Sequence, residues 1–265
     1  VRISLATEPA RPGRINEDHV AATPDTIVVL DGVSTPEGFP LGCRHGTPWY
    51  ARELSTAILR HAAPQVPLPE AVAAAIAEVA KAHGPGCDLT HPDQPAAALA
   101  VVRRAARAVE YLVLADCVVV LDTGDEVAAI TDDRLARLPI PEREAARGPG
   151  RDRAAAEALI AAKRPLRNRP GGYWVAELDP SAAHHAVTGA AEGVRRLAVL
   201  TDGASCLVDA YARTTWPALL DLAESQGAQA VIAEVRRAEL TDPAGTRWPR
   251  HKPHDDATLA YAHLP

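Results

Sequence analysis

The sequence predicts a mixed fold of α-helices and antiparallel β-strands, on three observations. Runs of β-formers twice end in Asp-Gly, in IVVLDGVS (residues 27–34) and in LAVLTDGAS (residues 197–205). Four apolar segments follow one another between residues 96 and 130, with connections too short for crossover helices. Apolar stripes at helical spacing stand between proline and glycine breaks. At 265 residues and 47% hydrophobic, the chain can bury a full core, and a single domain over 1–265 is expected.

Ile27, Val28 and Val29 drive a buried strand into Leu30, and the strand delivers Asp31 at its end. Gly32 lets a ligand or ion approach the backbone closely. Asp-Gly alone is most often a turn, and its repetition at Asp202-Gly203 is what gives it weight. Residues 35–46, rich in Gly and Pro, predict a loop. Thr47 as N-cap and Pro48 at the first helical position then open a helix carrying Tyr50, Leu54, Ile58 and Leu59. A second helix lies between Pro69 and Gly84, with Val72, Ile76 and Val79 as its core stripe.

Segments 96–102, 109–115, 117–121 and the weaker 126–130 predict an antiparallel meander. Asp116 interrupts it, and a charge there is expensive to bury unless paired or bound to a metal. Residues 134–192 are expected to form a variable insertion. It is rich in Arg, Glu and Ala up to residue 169, with a helix around 154–163, a Gly171-Gly172 turn and a short strand over 173–178. Helices are predicted over 217–225 and 228–240, separated by Gly227. The basic stretch 247–254 leads to a last strand opened by Asp255-Asp256.

The net charge of −6 argues against nucleic-acid binding, whose affinity comes mainly from basic groups on phosphates. No apolar run suits a signal peptide or a membrane span, so a cytoplasmic location away from membranes is expected. Cys43, Cys87, Cys117 and Cys206 form no Cys-x-x-Cys pair, which predicts small core residues rather than a zinc or disulfide framework. Lysine occurs only at 81, 163 and 252; the excess of arginine and alanine points to a GC-rich, bacterial genome rather than to a function.

Taken together, Asn16-Glu17-Asp18, strand-Asp31-Gly32, Asp116 between apolar strands, strand-Thr201-Asp202-Gly203 and the final Asp255-Asp256-x-Thr258 resemble the PPM family, the metal-dependent type 2C serine/threonine phosphatases. The likeness spans residues 14–264. Each motif is short and weak, and their shared order carries the signal. The resemblance implies an α+β fold, an α/β/β/α sandwich of two antiparallel sheets flanked by helices, with a metal cleft at one end. It implies a Mg²⁺- or Mn²⁺-dependent hydrolase that cleaves phosphomonoesters with a water bridging two ions, on a phosphorylated protein or a small phosphorylated metabolite.

Carried over residue by residue, Asp31 matches the acid bridging the ions and Gly32 the carbonyl ligand. Asp202 and Asp255 match further metal acids, Glu17 and Asp18 the N-terminal acids, and Asp116 the acid of a third ion. Hard cations of this kind prefer carboxylate, carbonyl and water oxygens. Departures stand at Ala115, Cys117 and Val118, where the family has Gly, Ser and Arg, and at Val33, where animal-type members have His. They leave the third ion and the general acid open. Arg14 is the candidate phosphate-binding residue, and Arg250 and Lys252, beside Asp255, are candidate substrate contacts. His184-His185, on a strand, would face opposite sides and read as surface residues. Two alternatives stand beside the phosphatase: a catalytically silent binding or regulatory module, and a different metal hydrolase. Oligomeric state is not legible.

Overall fold

The computed structural model describes all 265 residues. The chain opens with β1 (Arg2–Glu8), β2 (His19–Ala22) and β3 (Thr26–Gly32), followed by helices α1 (Gly46–His61) and α2 (Leu68–Ala82). Strands β4 (Ala97–Arg104), β5 (Ala108–Leu114), β6 (Val118–Asp122) and β7 (Val127–Thr131) come next. Short helices α3 (Arg134–Arg137) and α4 (Glu142–Ala145) precede α5 (Arg153–Lys163). The chain closes with β8 (Val187–Glu192), β9 (Arg196–Leu200), α6 (Asp202–Asp209), α7 (Trp216–Gln226), α8 (Ala228–Leu240) and β10 (Ala257–His263).

Two five-stranded antiparallel sheets result, in the orders β1-β10-β9-β6-β7 and β2-β3-β4-β5-β8. Strand alternation sorts the side chains into three buried layers. Val28 and Leu30, with Leu99, Val101, Leu112 and Leu114, face α1 and α2, where Tyr50, Leu54, Ile58, Val72, Ile76 and Val79 meet them. Ile27 and Val29, one residue out of phase, point the other way and pack against Val119, Leu121, Val199 and Ala260 of the second sheet. Val118, Val120, Leu200, Leu259 and Tyr261 bury the outer face of that sheet under α6, α7 and α8. This is the helix-sheet-sheet-helix sandwich expected. Each fully buried Leu of these layers contributes about 1.5–3 kcal/mol by burial.

Several local expectations are corrected. The apolar run 96–130 is not one meander: β4 pairs β5 and β6 pairs β7, but the chain changes sheets between Leu114 and Val118. The turn that makes the change puts Ala115 at φ 65°, a left-handed conformation that glycine adopts without steric cost. Helix α1 begins at Gly46 after His45, so Thr47 lies inside its first turn, and its hydroxyl donates to the Val33 carbonyl at 3.5 Å rather than capping the helix. Residues 173–178 make only isolated bridges, Ala97 with Ala176 and Arg167 with Tyr173, and Trp174 packs into the core layer between the helices and the sheet. Within the stretch 134–192, β8 pairs with β5 and completes a sheet. His184 and His185 close a 3-10 helix rather than a strand, and His185 stacks on Trp174 at 3.6 Å. No helix is long and apolar enough to cross a membrane.

Candidate metal cleft

Where the sheets part at one end of the sandwich, a cleft of about 1200 Å³ opens. Asp31, Gly32, Asp116, Asp202, Asp255, Glu17, Arg14 and Lys252 all line it. Each acid reaches it from a different chain reversal. Asp31 ends β3 in phase with Ile27 and Val29, so the alternation that buries those two between the sheets aims Asp31 at the same gap. Asp116 stands in the turn between β5 and β6, and Asp255 just before β10. Asp202 does not end a strand: it is the first residue of α6, after Thr201, where the helix dipole favours a negative charge.

Both glycines of the Asp-Gly pairs are steric requirements. A Cβ on Gly32 would collide with the Glu17 carbonyl and the Thr47 side chain, and one on Gly203 with the Asp256 carbonyl. Asp256 accounts for the second of these approaches. Its carboxylate accepts from the Ala10 and Glu17 amides, both at 2.7 Å, and so ties the N-terminal loop across the start of β10.

The electrostatics of the cleft are those of an anion cluster. Burial pushes the Asp31 carboxyl well up, and Asp202, Asp18, Asp116 and Asp255 push it further. Burial, then Asp255 and Asp116, raise Asp202 to about 7. Asp116 is raised as well, first by burial. Two of the chain's three lysines answer this charge. Lys252 Nζ donates to Asp255 Oδ1 at 2.7 Å and to Ser34 Oγ at 2.8 Å. Burial opposes its charge, but Asp255, Asp31 and Asp202 outweigh that and hold its pKa above the ordinary value. Lys163, at the end of α5, has its pKa lowered by burial while Asp116 and Asp202 partly offset the loss. On the other side Arg14 Nη2 donates to Glu17 Oε2 at 3.2 Å, and Ser34 Oγ donates to the same oxygen. A polar chain Arg14–Glu17–Ser34–Lys252–Asp255 therefore runs along the cleft.

The donors fit hard divalent ions. All are carboxylate or carbonyl oxygens, their mutual repulsion is relieved only by cations, and an octahedral ion that keeps several waters needs just one or two carboxylates. Two expected residues are not in the cleft. Asp18 is buried behind its wall, where burial raises its pKa and the Thr201 hydroxyl donates to it at 2.8 Å; it braces the residue before Asp202. Arg250 turns away because Asp242 captures it: Nη1 lies 3.0 Å from Asp242 Oδ2 and 3.1 Å from the Trp248 carbonyl, so it closes its own loop. Lys163 and Ser34 are cleft residues that the sequence reading missed. Ser34 stands within the Asp-Gly stretch itself, and Lys163 is one of only three lysines, which was the available signal.

No protein-family model and no curated protein matches the sequence. Solved structures do match over the whole chain. The catalytic domain of the serine/threonine protein phosphatase PstP, in complex with two manganese ions, aligns with a TM-score of 0.58 at 16% identity, covering 99% of this chain and 97% of that one. The PPM Ser-Thr phosphatase MsPP from Mycobacterium smegmatis, in complex with cacodylate, aligns with a TM-score of 0.56 at 18% identity, covering 100% and 99%. PppA, a regulatory component of the type VI secretion system in Pseudomonas aeruginosa, aligns at 0.57 and 15% identity, covering 99% and 97%. The chain thus has the fold of the PPM-type serine/threonine phosphatases.

Proposed function

We propose that the chain is a Mg²⁺- or Mn²⁺-dependent phosphomonoesterase, with residues 1–265 acting as one catalytic domain. The observation that carries the reading is the delivery of Asp31, Asp116, Asp202 and Asp255 from four separate chain reversals into one cleft. A scaffold gains nothing from such a cluster of buried like charges unless cations are held there. Asp31, Asp202 and Asp255, with the Gly32 carbonyl and Glu17, would hold two ions, and Asp116 would contribute to a third. Bound there, the ions supply charge neutralisation and an activated attacking water.

The remaining residues bind and orient. Eight acids and seven Lys or Arg side chains line the cleft, so two divalent ions would turn its formal balance from −1 to +3. That balance favours a phosphate dianion. Arg14 and Lys252 are placed to hold phosphate oxygens, and Lys163 and Arg151 extend the cationic wall from the segment 134–192, where Arg167 is paired with Asp93 and Glu177 and Arg153 with Glu157. No cysteine lines the cleft. Cys117, next to Asp116, points into the layer between the sheets, and burial pushes its thiol well up, so a thiolate nucleophile is unsupported.

The wall suits compact, multiply charged phosphometabolites better than peptides with uncharged flanks; a phosphorylated protein is the other substrate class. Comparing kcat/KM across phosphometabolites and phosphopeptides at rising salt tests this. A metabolite advantage that shrinks with salt is expected, and an equal or better peptide overturns it. Lys252 on Asp255 is the one observation favouring a silent binding module, because the ammonium sits on a carboxylate that the ions need. Mn²⁺ binding without any hydrolysis of phosphomonoesters would establish that reading, and cleavage of phosphodiesters alone would point to a different metal hydrolase.

A further inference from the structure

A second group of side chains with metal-ligand atoms lies outside the cleft, and it includes Cys43 and Cys87, two of the four cysteines expected to be small core residues. Cys43 and His45 stand at the end of the loop that leads from β3 to α1. His83 follows α2 directly, and Cys87 lies one short turn further on. One ligand atom from each of the four lies within 4.8 Å of all the others. His83 Nδ1 is 3.1 Å from Cys43 Sγ, the two sulfurs are 3.3 Å apart, and His45 Nδ1 is 3.4 Å from Cys43 Sγ and 3.6 Å from Cys87 Sγ. Bonds of about 2.3 Å to sulfur and 2.0–2.1 Å to nitrogen around a tetrahedral centre place donors about 3.3–3.8 Å apart. Four of the six donor pairs are therefore close to that spacing already, and the other two lie within 4.8 Å.

Nothing else in the protein accounts for the arrangement. The sulfurs are too far apart for a disulfide, whose bond is about 2.05 Å, and both thiols are free. His83 is buried and turns its Nδ1, the nitrogen nearest Cys43 Sγ, into the group. Trp49 packs on the group, 4.4 Å from the His45 ring and edge-on to His83 at 5.0 Å, with Cys43 and His83 buried and His45 and Cys87 half-buried. The segments joined here have little regular structure to hold them. Gly42 exchanges backbone hydrogen bonds with Asp88 and Asp93, at 2.7 and 2.8 Å, and a Cβ at Gly42 would strike the Asp88 carbonyl.

We propose that Cys43, His45, His83 and Cys87 bind one Zn²⁺ in a closed, structural Cys₂His₂ site that staples the loop after β3 to the end of α2. Two thiolates and two imidazoles select zinc over the hard ions suited to the cleft, and four protein ligands leave no open position for catalysis. Each thiol gives up its proton as the ion binds. The staple has a consequence at a distance. Val33, Ser34, Thr35, Pro36, Glu37 and Leu41 of the same loop form one wall of the cleft, so fixing the far end of the loop fixes that wall. The site rests on its own residues and stands whether or not the cleft is a phosphatase centre.

The test is metal analysis of the full-length chain, produced with zinc in the medium and purified under reducing conditions by gel filtration. About one zinc per chain is expected, and none in the Cys43→Ser/Cys87→Ser double variant. Wild-type chain reconstituted with Co²⁺ in place of zinc should show the visible bands of a tetrahedral centre and thiolate-to-cobalt charge-transfer absorption, which oxygen ligands of the cleft cannot give. This second readout decides the matter even if the double variant fails to fold. Zinc content no higher than trace in the wild type, or a cobalt spectrum without thiolate charge transfer, overturns the site.

Discussion

One loop, residues 33–45, begins at the acid cleft and ends at the Cys/His cluster, and its two ends call for opposite metals. At the cleft the donors are hard oxygens with substitute partners: Lys252 on Asp255, Arg14 and Ser34 on Glu17. They are spread through an open cavity, so ions there would exchange with solvent and leave room for substrate. At the cluster the donors are two sulfurs and two imidazoles, packed within 4.8 Å of one another beside Trp49. An ion there would be permanent. The difference separates a site built to react from one built to hold, although both use a coil segment that regular secondary structure does not organise.

The sharpest way to break this contrast is to alter one end and read both. Asp31→Asn should lower kcat/KM for a phosphomonoester by about 10²-fold or more, the scale of a lost electrostatic stabiliser. The variant should stay folded, keep its zinc and, in metal-free form, be no less stable than wild type, since it removes repulsion among buried acids. Wild-type turnover by folded Asp31→Asn would remove the cleft from the mechanism. At the other end, Cys43→Ser should lose the zinc and about 2 kcal/mol of stability, roughly 4–8 °C in Tm. Scanning calorimetry of zinc-loaded proteins checks it, and an unchanged Tm would mean the staple holds nothing.

Smaller effects sharpen the cleft itself. Lys252→Ala should raise KM about tenfold, the loss expected for one hydrogen bond to a charged group, and should flatten the salt dependence of kcat/KM. If KM is unchanged while Mn²⁺ binds more tightly, the ammonium is a plug on Asp255 rather than a phosphate contact. Arg250→Ala should have the least effect on catalysis, because Arg250 serves Asp242 and its own loop. It should lower Tm and leave KM within about twofold, well below the change that loss of a charged hydrogen bond brings; a KM as high as that of Lys252→Ala would return Arg250 to the substrate site.

The contrast also explains what the sequence could and could not reveal. The cleft acids were legible because each follows or precedes an apolar run, so a charge at the boundary stands out: Asp31 after IVVL, Asp202 after LAVLT, Asp255 before ATLAY. The layers were legible only through the family resemblance: Ile27 to Leu30 is a continuous apolar run, and only the fold shows Val28 and Leu30 facing the helices and Ile27 and Val29 the other sheet. The change of sheet at Ala115 was not, because the turn is short enough to be read as a hairpin connection. Arg250 and Lys252 were indistinguishable as neighbours in a basic run; only the fold shows that Asp242 takes one and Asp255 the other. The Cys/His ligands escaped because two helices separate the Cys-x-His pair from the His-x-x-x-Cys pair. Those two short spacings were the signal, and a search for Cys-x-x-Cys passes over both.

The most direct test of the central claim is a Mn²⁺ titration of phosphomonoester hydrolysis by chelator-treated wild-type protein. The account predicts no hydrolysis without added Mn²⁺ and a saturable rise as the ion is supplied. Hydrolysis that persists under exhaustive chelation, or none at any Mn²⁺ concentration while the ion binds, would contradict it.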